Sequence, residues 1–273
     1  MNVIDNIKNW INTKGFPFEI NCAREFQKHG FTVQPAIHYF DDEIQNYREI
    51  DLCAFKGYAF GDCTFNLTLM IECKTSDSPW IVFSHKDKFS TSQLISNLIT
   101  SKNGLELIKK IDVHEKESFA FAFKNDELVG YNFVQMGKST TADKDKDRAY
   151  EALMQSSKAA LSLKDKSNEA TTKFCNIYIP VVIVDKNLFS ASDAIDSTDL
   201  HVEEINFCKH ARLYAFNERP LLVHHIVSGT HLEEYCQKIL QDFDSFVDKY
   251  KNEIATIALY NPSNSNKGKY TIM

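Results

Sequence analysis

Phe65-Asn66-Leu67-Thr68-Leu69-Met70-Ile71-Glu72-Cys73-Lys74 is the stretch on which the fold turns. It is apolar enough to be a strand covered on both faces, and such strands sit in the middle of a sheet. Its last three residues break that character, and the chain then turns polar through Thr75-Ser76-Asp77-Ser78. Period-two geometry sets Glu72 and Lys74 on one face and Cys73 on the other. A carboxylate and an ammonium at the end of a buried strand are costly unless paired or used. Glu72-Cys73-Lys74 is the chain's one Asp/Glu-x-Lys triplet.

The elements on either side read outward from this strand. Glu49 to Phe55 is a second strand, and Gly57 and Gly61 mark a turn region between the two. Phe31 to Phe40 alternates as a strand that Asp41-Asp42-Glu43 breaks. Before it, Phe18, Cys22 and Phe26 recur at helical spacing between Pro17 and Gly30, a start and a stop for an amphipathic helix. Residues 3–14 form a short helix with Ile4, Ile7, Trp10 and Ile11 on one stripe. Downstream, 91–111 reads as a helix with Gly104 as a weak point. Phe119 to Phe123 reads as an alternating strand, and Gly137 to Asp147 as a loop. Arg148 to Leu163 is a helix. Phe174 to Asp185 holds the most buried-looking strand, with Pro180 expected near its start or at a bulge. Val202 to Phe216 and Leu221 to Val227 are strands, His231 to Lys251 is an amphipathic helix, and the last dozen residues are expected to be poorly ordered. This order predicts one α/β or α+β domain across 1–273.

The strand ending at Lys74 has a carboxylate neighbour. If the two strands pair antiparallel, Asp51 meets Glu72 and Lys74 on one face. Two close carboxylates raise a pKa or recruit a cation, and oxygen ligands suit Mg²⁺ or Mn²⁺. Asp51, Glu72 and Lys74, on successive strands after a helix, resemble the motif of the PD-(D/E)xK nuclease superfamily, the restriction-endonuclease-like fold. In that family a helix, three strands, a helix and a fourth strand form the core. Here these fall on 17–29, 31–40, 49–55, 65–74, 148–163 and 176–185. The resemblance implies a mixed central sheet flanked by helices, in αβββαβ order. The core then spans about 1–84 and 145–185, with an insertion at about 85–144 and a C-terminal strand-helix extension at about 186–260. It implies Asp51, Glu72 and Lys74 as catalytic residues, with Glu19 on the first helix and Gln155 on the later one. The implied ligands of Mg²⁺ (or Mn²⁺) are Asp51, Glu72, Glu19 and a backbone carbonyl, taken as that of Cys73, with Ile71 beside it. The family often has Pro before the motif Asp; this chain has Ile50.

The activity implied is metal-dependent endonucleolytic hydrolysis of DNA, with RNA left open and restriction or defence as the setting. The alternative is a catalytically inactive module of the same fold that binds nucleic acid or protein. A metal-dependent hydrolase of another phosphoester is a third. Region 201–251, outside the implied core, is the expected surface for a twofold homodimer or for DNA recognition.

Composition sets the outer bounds. The 273 residues are 43% hydrophobic and carry 31 basic against 37 acidic side chains, a net charge of −6. That excludes wholesale disorder and argues against coating nucleic acid through bulk charge, so phosphates must be met by a local basic cleft. Lys86, Lys88 and the basic residues of 138–173 are expected to supply it, with binding that weakens in salt. Seven cysteines, an odd number with no Cys-x-x-Cys, read as free thiols. The four histidines at 201, 210, 224 and 225 lack metal or triad spacing and read as strand residues. No apolar run reaches membrane-spanning length and the start lacks a signal-peptide pattern, so a cytoplasmic protein is expected. Gly-x-Gly-x-x-Gly, Walker, Gly-x-Ser-x-Gly and His-Glu-x-x-His motifs are absent, which removes dinucleotide enzymes, NTPases, serine hydrolases and zincins.

Overall fold

A computed structural model describes residues 2–60, 63–85, 89–111, 119–123, 129–137, 148–169, 174–193, 199–213 and 221–257. Its elements run α1 (Val3–Thr13), α2 (Phe16–Lys28), β1 (Thr32–Asp41), β2 (Asn46–Phe60), β3 (Cys63–Lys74), β4 (Trp80–His85), α3 (Thr91–Ser96), β5 (Ile99–Thr100), α4 (Lys102–Lys110), β6 (Val129–Gln135), α5 (Arg148–Glu169), β7 (Phe174–Val184), β8 (Leu188–Asp193), β9 (Leu200–Glu204), β10 (Phe207–Leu213), β11 (Leu221–Ser228) and α6 (Leu232–Ala255). All described strands join one mixed sheet in the order β1-β2-β3-β7-β11-β10-β6-β4-β8-β9, with β5 beside β7. The chain is α/β, a large mixed sheet flanked by helices. No helix among the described residues is long and apolar enough to cross a membrane.

Burial of β3 on both faces follows from its composition. Phe65, Leu67, Leu69 and Ile71 enter the core under α2 and α6, while Met70 faces the opposite layer with Met154, Ala159 and Ala160 of α5. Strand β7 does the same beside it in parallel register, from Thr64 against Phe174 to Lys74 against Val184. Helix α5 lies close to the sheet because its inner face is small: Ala149, Ala152, Ser156, Ser157, Ala159 and Ala160 are buried. Strands β1, β2 and β3 form an antiparallel meander. Region 186–255 is built into the same sheet: β11 runs parallel to β7, and Phe243 and Phe246 of α6 pack on Phe65 of β3.

Several elements depart from the sequence expectation. Gly57 lies inside β2 opposite Asn66, where a Cβ would collide with the Asn66 amide; Gly61 lies outside the described residues. The 91–111 helix is broken: Ser101 caps α4 by accepting from Gly104 N–H (3.2 Å), and its hydroxyl also accepts from Asn176 N–H (2.9 Å) on β7. Phe119 to Phe123 is a turn, not a strand. Phe123 N–H and Ala122 N–H both donate to the Phe119 carbonyl, and all three Phe rings are buried, so the alternation had no polar face to set. Pro180 lies in mid-strand against Met70. On its other side β5 pairs no further than Tyr178 and the pairing with β11 starts at Val181, so no neighbour needs its missing N–H. The predicted strand over 202–216 is two, β9 and β10, with Ile205 and Asn206 between them bonded to Leu188 and Ser228. Strands β4 and β8 went unpredicted. The stripe on α1 is present, yet Val3, Ile4, Ile7 and Trp10 are exposed. The loop at 138–147 and the residues from 258 onward lie outside the described residues. All seven cysteines are free.

Gly104 tests how tightly α4 sits on the sheet. A Cβ there would lie 2.6 Å from the Asn176 carbonyl oxygen, a backbone atom that cannot step aside. Alanine is the better helix former, yet Gly104→Ala is expected to lower stability by about 1–3 kcal/mol, as overpacking does. Urea unfolding of the two proteins measures the sign.

Candidate active site

The β2–β3 ladder runs to the pair Leu52–Ile71. One step further along this register Asp51 stands opposite Glu72. There the strands part, and Asp51 Oδ2 accepts the Cys73 N–H at 2.7 Å. Strand β2 is itself irregular at this point. Ile50 and Cys53 both pack toward α5, while Leu52 and Ala54 pack toward α2 and α6, so alternation is interrupted at Asp51. The β1–β2 register skips Asp51 and its opposite residue Ala36, which has φ of 53°, a left-handed conformation that costs alanine about 1–2 kcal/mol. This local strain accompanies the turn of one carboxylate to the end of the sheet.

Glu72 and Lys74 share the α5 face of β3, as period two requires, and Lys74 Nζ donates to Glu72 Oε1 at 2.5 Å. Glu72 is 3% exposed. Gln155, from the second turn of α5, reaches the same oxygen: with its amide assigned by the hydrogen-bonding needs of its neighbours, the nitrogen donates to Glu72 Oε1 at 3.0 Å and the oxygen accepts from Arg48 Nη2 at 2.9 Å. Glu72 Oε2 is buried and has no partner among protein atoms. Cys73 points the other way, toward Cys22 of α2; a hydrogen bond with that thiol, then burial, push its proton affinity well above the usual thiol range.

Asp51, Glu72, Cys73 and Lys74 line a cleft of about 210 Å³ at the carboxyl end of β3, with Lys14, Gly15 and Phe18 from the α1–α2 corner, Glu19, Thr75 and Arg148 completing its wall. Arg148 opens α5, a position where a cation opposes the helix dipole. It is held there by the Thr75 carbonyl (3.2 Å) and the Trp80 ring (5.9 Å). The electrostatics are strained in one direction. Burial, then the Asp51 carboxylate, raise Glu72 to about 7, against the pull of Lys74 and Arg48. Burial also raises Asp51, opposed by the Cys73 amide and Lys74, and raises Glu19, helped by Asp51 and Glu49.

The expected residues therefore divide. Asp51, Glu72, Lys74 and Cys73 converge, Gln155 joins them through Glu72, and Glu19 stands on the cleft wall without a hydrogen bond to the others among those described. Cys73 enters through its amide and its lining of the cleft. The carboxylate oxygens of Glu19, Asp51 and Glu72 do not all lie within 4.8 Å of one another; the group that meets this spacing is Glu25, His29 and Glu233, where Lys28 Nζ already sits 3.4 Å from Glu25 and 3.2 Å from Glu233. The more open trio still fits a hard dication. Mg²⁺ commonly takes one or two carboxylates and keeps several waters, and Glu72 Oε2 is a buried carboxyl oxygen without a partner among protein atoms.

Of the cations expected at the mouth, Arg148 is there. Lys158 is committed to Asp41 (3.0 Å) and Glu43 (2.7 Å), and Lys164 to Asp165 (2.6 Å). Lys86, Lys88, Lys138, Lys144, Lys146 and Lys173 lie outside the described residues. Sequence reasoning missed Arg48, Lys14 and Thr75. Arg48 is one of a run of polar residues opening β2, and nothing in its spacing separates it from a solvated edge. Comparisons with protein-family models, curated proteins and solved structures return no match.

The raised proton affinity of Glu72 has a measurable sign. Below its ordinary value of 4.5 it is protonated both folded and unfolded; above about 7 the folded protein bears a buried charge. Its contribution to stability is thus lost as pH rises from 4.5 through 7. Glu72→Gln is expected to match wild type near pH 4 and to exceed it by roughly 1–3 kcal/mol at pH 8. Denaturant titrations at the two pH values read the difference.

Proposed function

We propose that the protein is a divalent-metal-dependent nuclease acting on DNA, built on a restriction-endonuclease-like core. The observation that carries this is the convergence of Asp51, Glu72 and Lys74 at the end of β3, with Glu72 Oε2 left unsatisfied. The topology supports it: α2, the β1-β2-β3 meander, α5 and then β7 parallel to β3 follow the order that the resemblance implies. DNA as the substrate rests on the resemblance.

Asp51 and Glu72 would hold Mg²⁺ or Mn²⁺, with Glu19 across the cleft. Bound there, the ion would supply an activated water and offset charge on the phosphate. The protein's own groups do the rest. Lys74, fixed by Glu72, presents an ammonium where the attacking water and the scissile phosphate meet, to orient the one or stabilise the other. Gln155 keeps Glu72 in place. Arg148 and Lys14 give the wall two cations for flanking phosphates, which offsets the repulsion of an acidic chain and makes binding salt-sensitive. Glu72 Oε1 is already occupied by Lys74 and Gln155, so Oε2 is the oxygen available to a cation.

Supercoiled plasmid incubated with and without Mg²⁺ or Mn²⁺ tests the assignment. Nicking or linearisation is expected only with the metal. Lys74→Ala, at the end of β3, and Asp51→Asn, which keeps the volume where β2 parts from β3, should fold and lose a factor of about 10² or more in rate. A folded variant of either kind that cuts at the wild-type rate would sink the assignment at these residues. A wild type that neither cuts nor binds Mn²⁺ by calorimetry would leave the non-catalytic binding module.

A further inference from the structure

Arg48 does not line the cleft, yet it is the far end of the hydrogen-bonded chain that reaches Glu72. We propose that Arg48 is a positioning residue: it dictates which way the Gln155 amide faces, and through that amide holds Glu72 with Oε1 engaged and Oε2 left open. A guanidinium can only donate and an ionised carboxylate can only accept. An amide placed between the two must turn its oxygen to Arg48 (2.9 Å) and its nitrogen to Glu72 Oε1 (3.0 Å). The opposite orientation would set the amide oxygen against the carboxylate and leave it one longer contact, 3.4 Å from Lys74 Nζ.

Arg48 is itself held. Its Nη1 lies 3.8 Å from Asp41 Oδ2, and Asp41 is fully buried, fixed by Lys158 from α5 at 3.0 and 3.1 Å. The guanidinium is therefore braced between β1 and α5, the helix that also gives the cleft Arg148. Without a donor-only group at this position, the amide is free to turn its oxygen toward Lys74. Glu72 then loses one of its two donors and shares the other. The sequence gives Gln155 no means of choosing its own orientation; Arg48 makes the choice.

This inference rests on the nuclease reading for its consequence, metal affinity, but not for the geometry, so two readouts keep them apart. The first uses ¹⁵N-labelled, metal-free protein. The Gln155 side-chain NH₂ signals, identified by their loss in Gln155→Leu, should stay in place in Arg48→Lys, which still only donates. They should move in Arg48→Gln, which can donate or accept. The second is Mn²⁺ calorimetry at fixed pH. Arg48→Gln should weaken binding about tenfold, the scale on which residues behind a metal ligand act, while Arg48→Lys stays within about twofold. Gln155 signals unmoved in Arg48→Gln would overturn the inference, as would Arg48→Lys shifting them as far as Arg48→Gln does. Equal Mn²⁺ affinity in wild type and Arg48→Gln would overturn it as well. A wild type without Mn²⁺ binding would instead remove the nuclease reading, and the amide signals alone would then decide the role of Arg48.

Discussion

The parallel ladder between β3 and β7 is the constraint from which the rest follows. Both strands are covered on both faces, so neither tolerates a charge along its length, and helices are required on each side of them. The ladder ends at Lys74 and Val184, and the chain after it is tied at once: Asp185 N–H donates to the Lys74 carbonyl, and its carboxylate accepts from Ser76 N–H at 3.1 Å. The first place where charge can stand on β3 is its carboxyl end, and there Glu72 and Lys74 stand.

Charge at that edge is arranged at a cost to stability. Three carboxylates with raised proton affinity and an arginine at the wrong end of a helix dipole line one cleft, and a left-handed alanine stands opposite one of the three on the neighbouring strand. A fold selected for stability alone would replace such features; a site for the chemistry proposed above would retain them. The orientation of the parts comes from farther out. Lys158, Asp41 and Arg48 form a polar spine beside the α5 packing layer and end on the same Gln155 that meets Glu72.

Much of this was legible beforehand, for a physical reason in each case. Helix α2 carries its own punctuation in Pro17 and Gly30. Strand β3 has a composition that only a covered strand can have, and the triplet at its end stands out because everything before it is apolar. Period two then put Glu72 with Lys74 and turned Cys73 away, as observed. What stayed hidden depends on partners distant in sequence. Short strands β4 and β8 are defined by pairing with each other, β4 also with β6 and β8 also with β9. The aromatic run 119–123 alternates in letters, but every large ring in it is buried, those of Phe119 and Phe121 against α6, so letters alone could not distinguish strand from turn. Arg48 acquires meaning only through Gln155, more than a hundred residues later.

The two tryptophans have a consequence of their own. One cation of the cleft wall lies over each: Lys14 is 6.0 Å from the Trp10 ring, and Arg148 is 5.9 Å from that of Trp80. Trp10 is 56% exposed and Trp80 fully buried. The chain thus carries two built-in optical gauges, one emitting toward the red and open to quenchers, one emitting toward the blue and shielded. Any anion that draws Lys14 or Arg148 into the cleft changes the field on the corresponding indole, and the colour of the change says which wall moved.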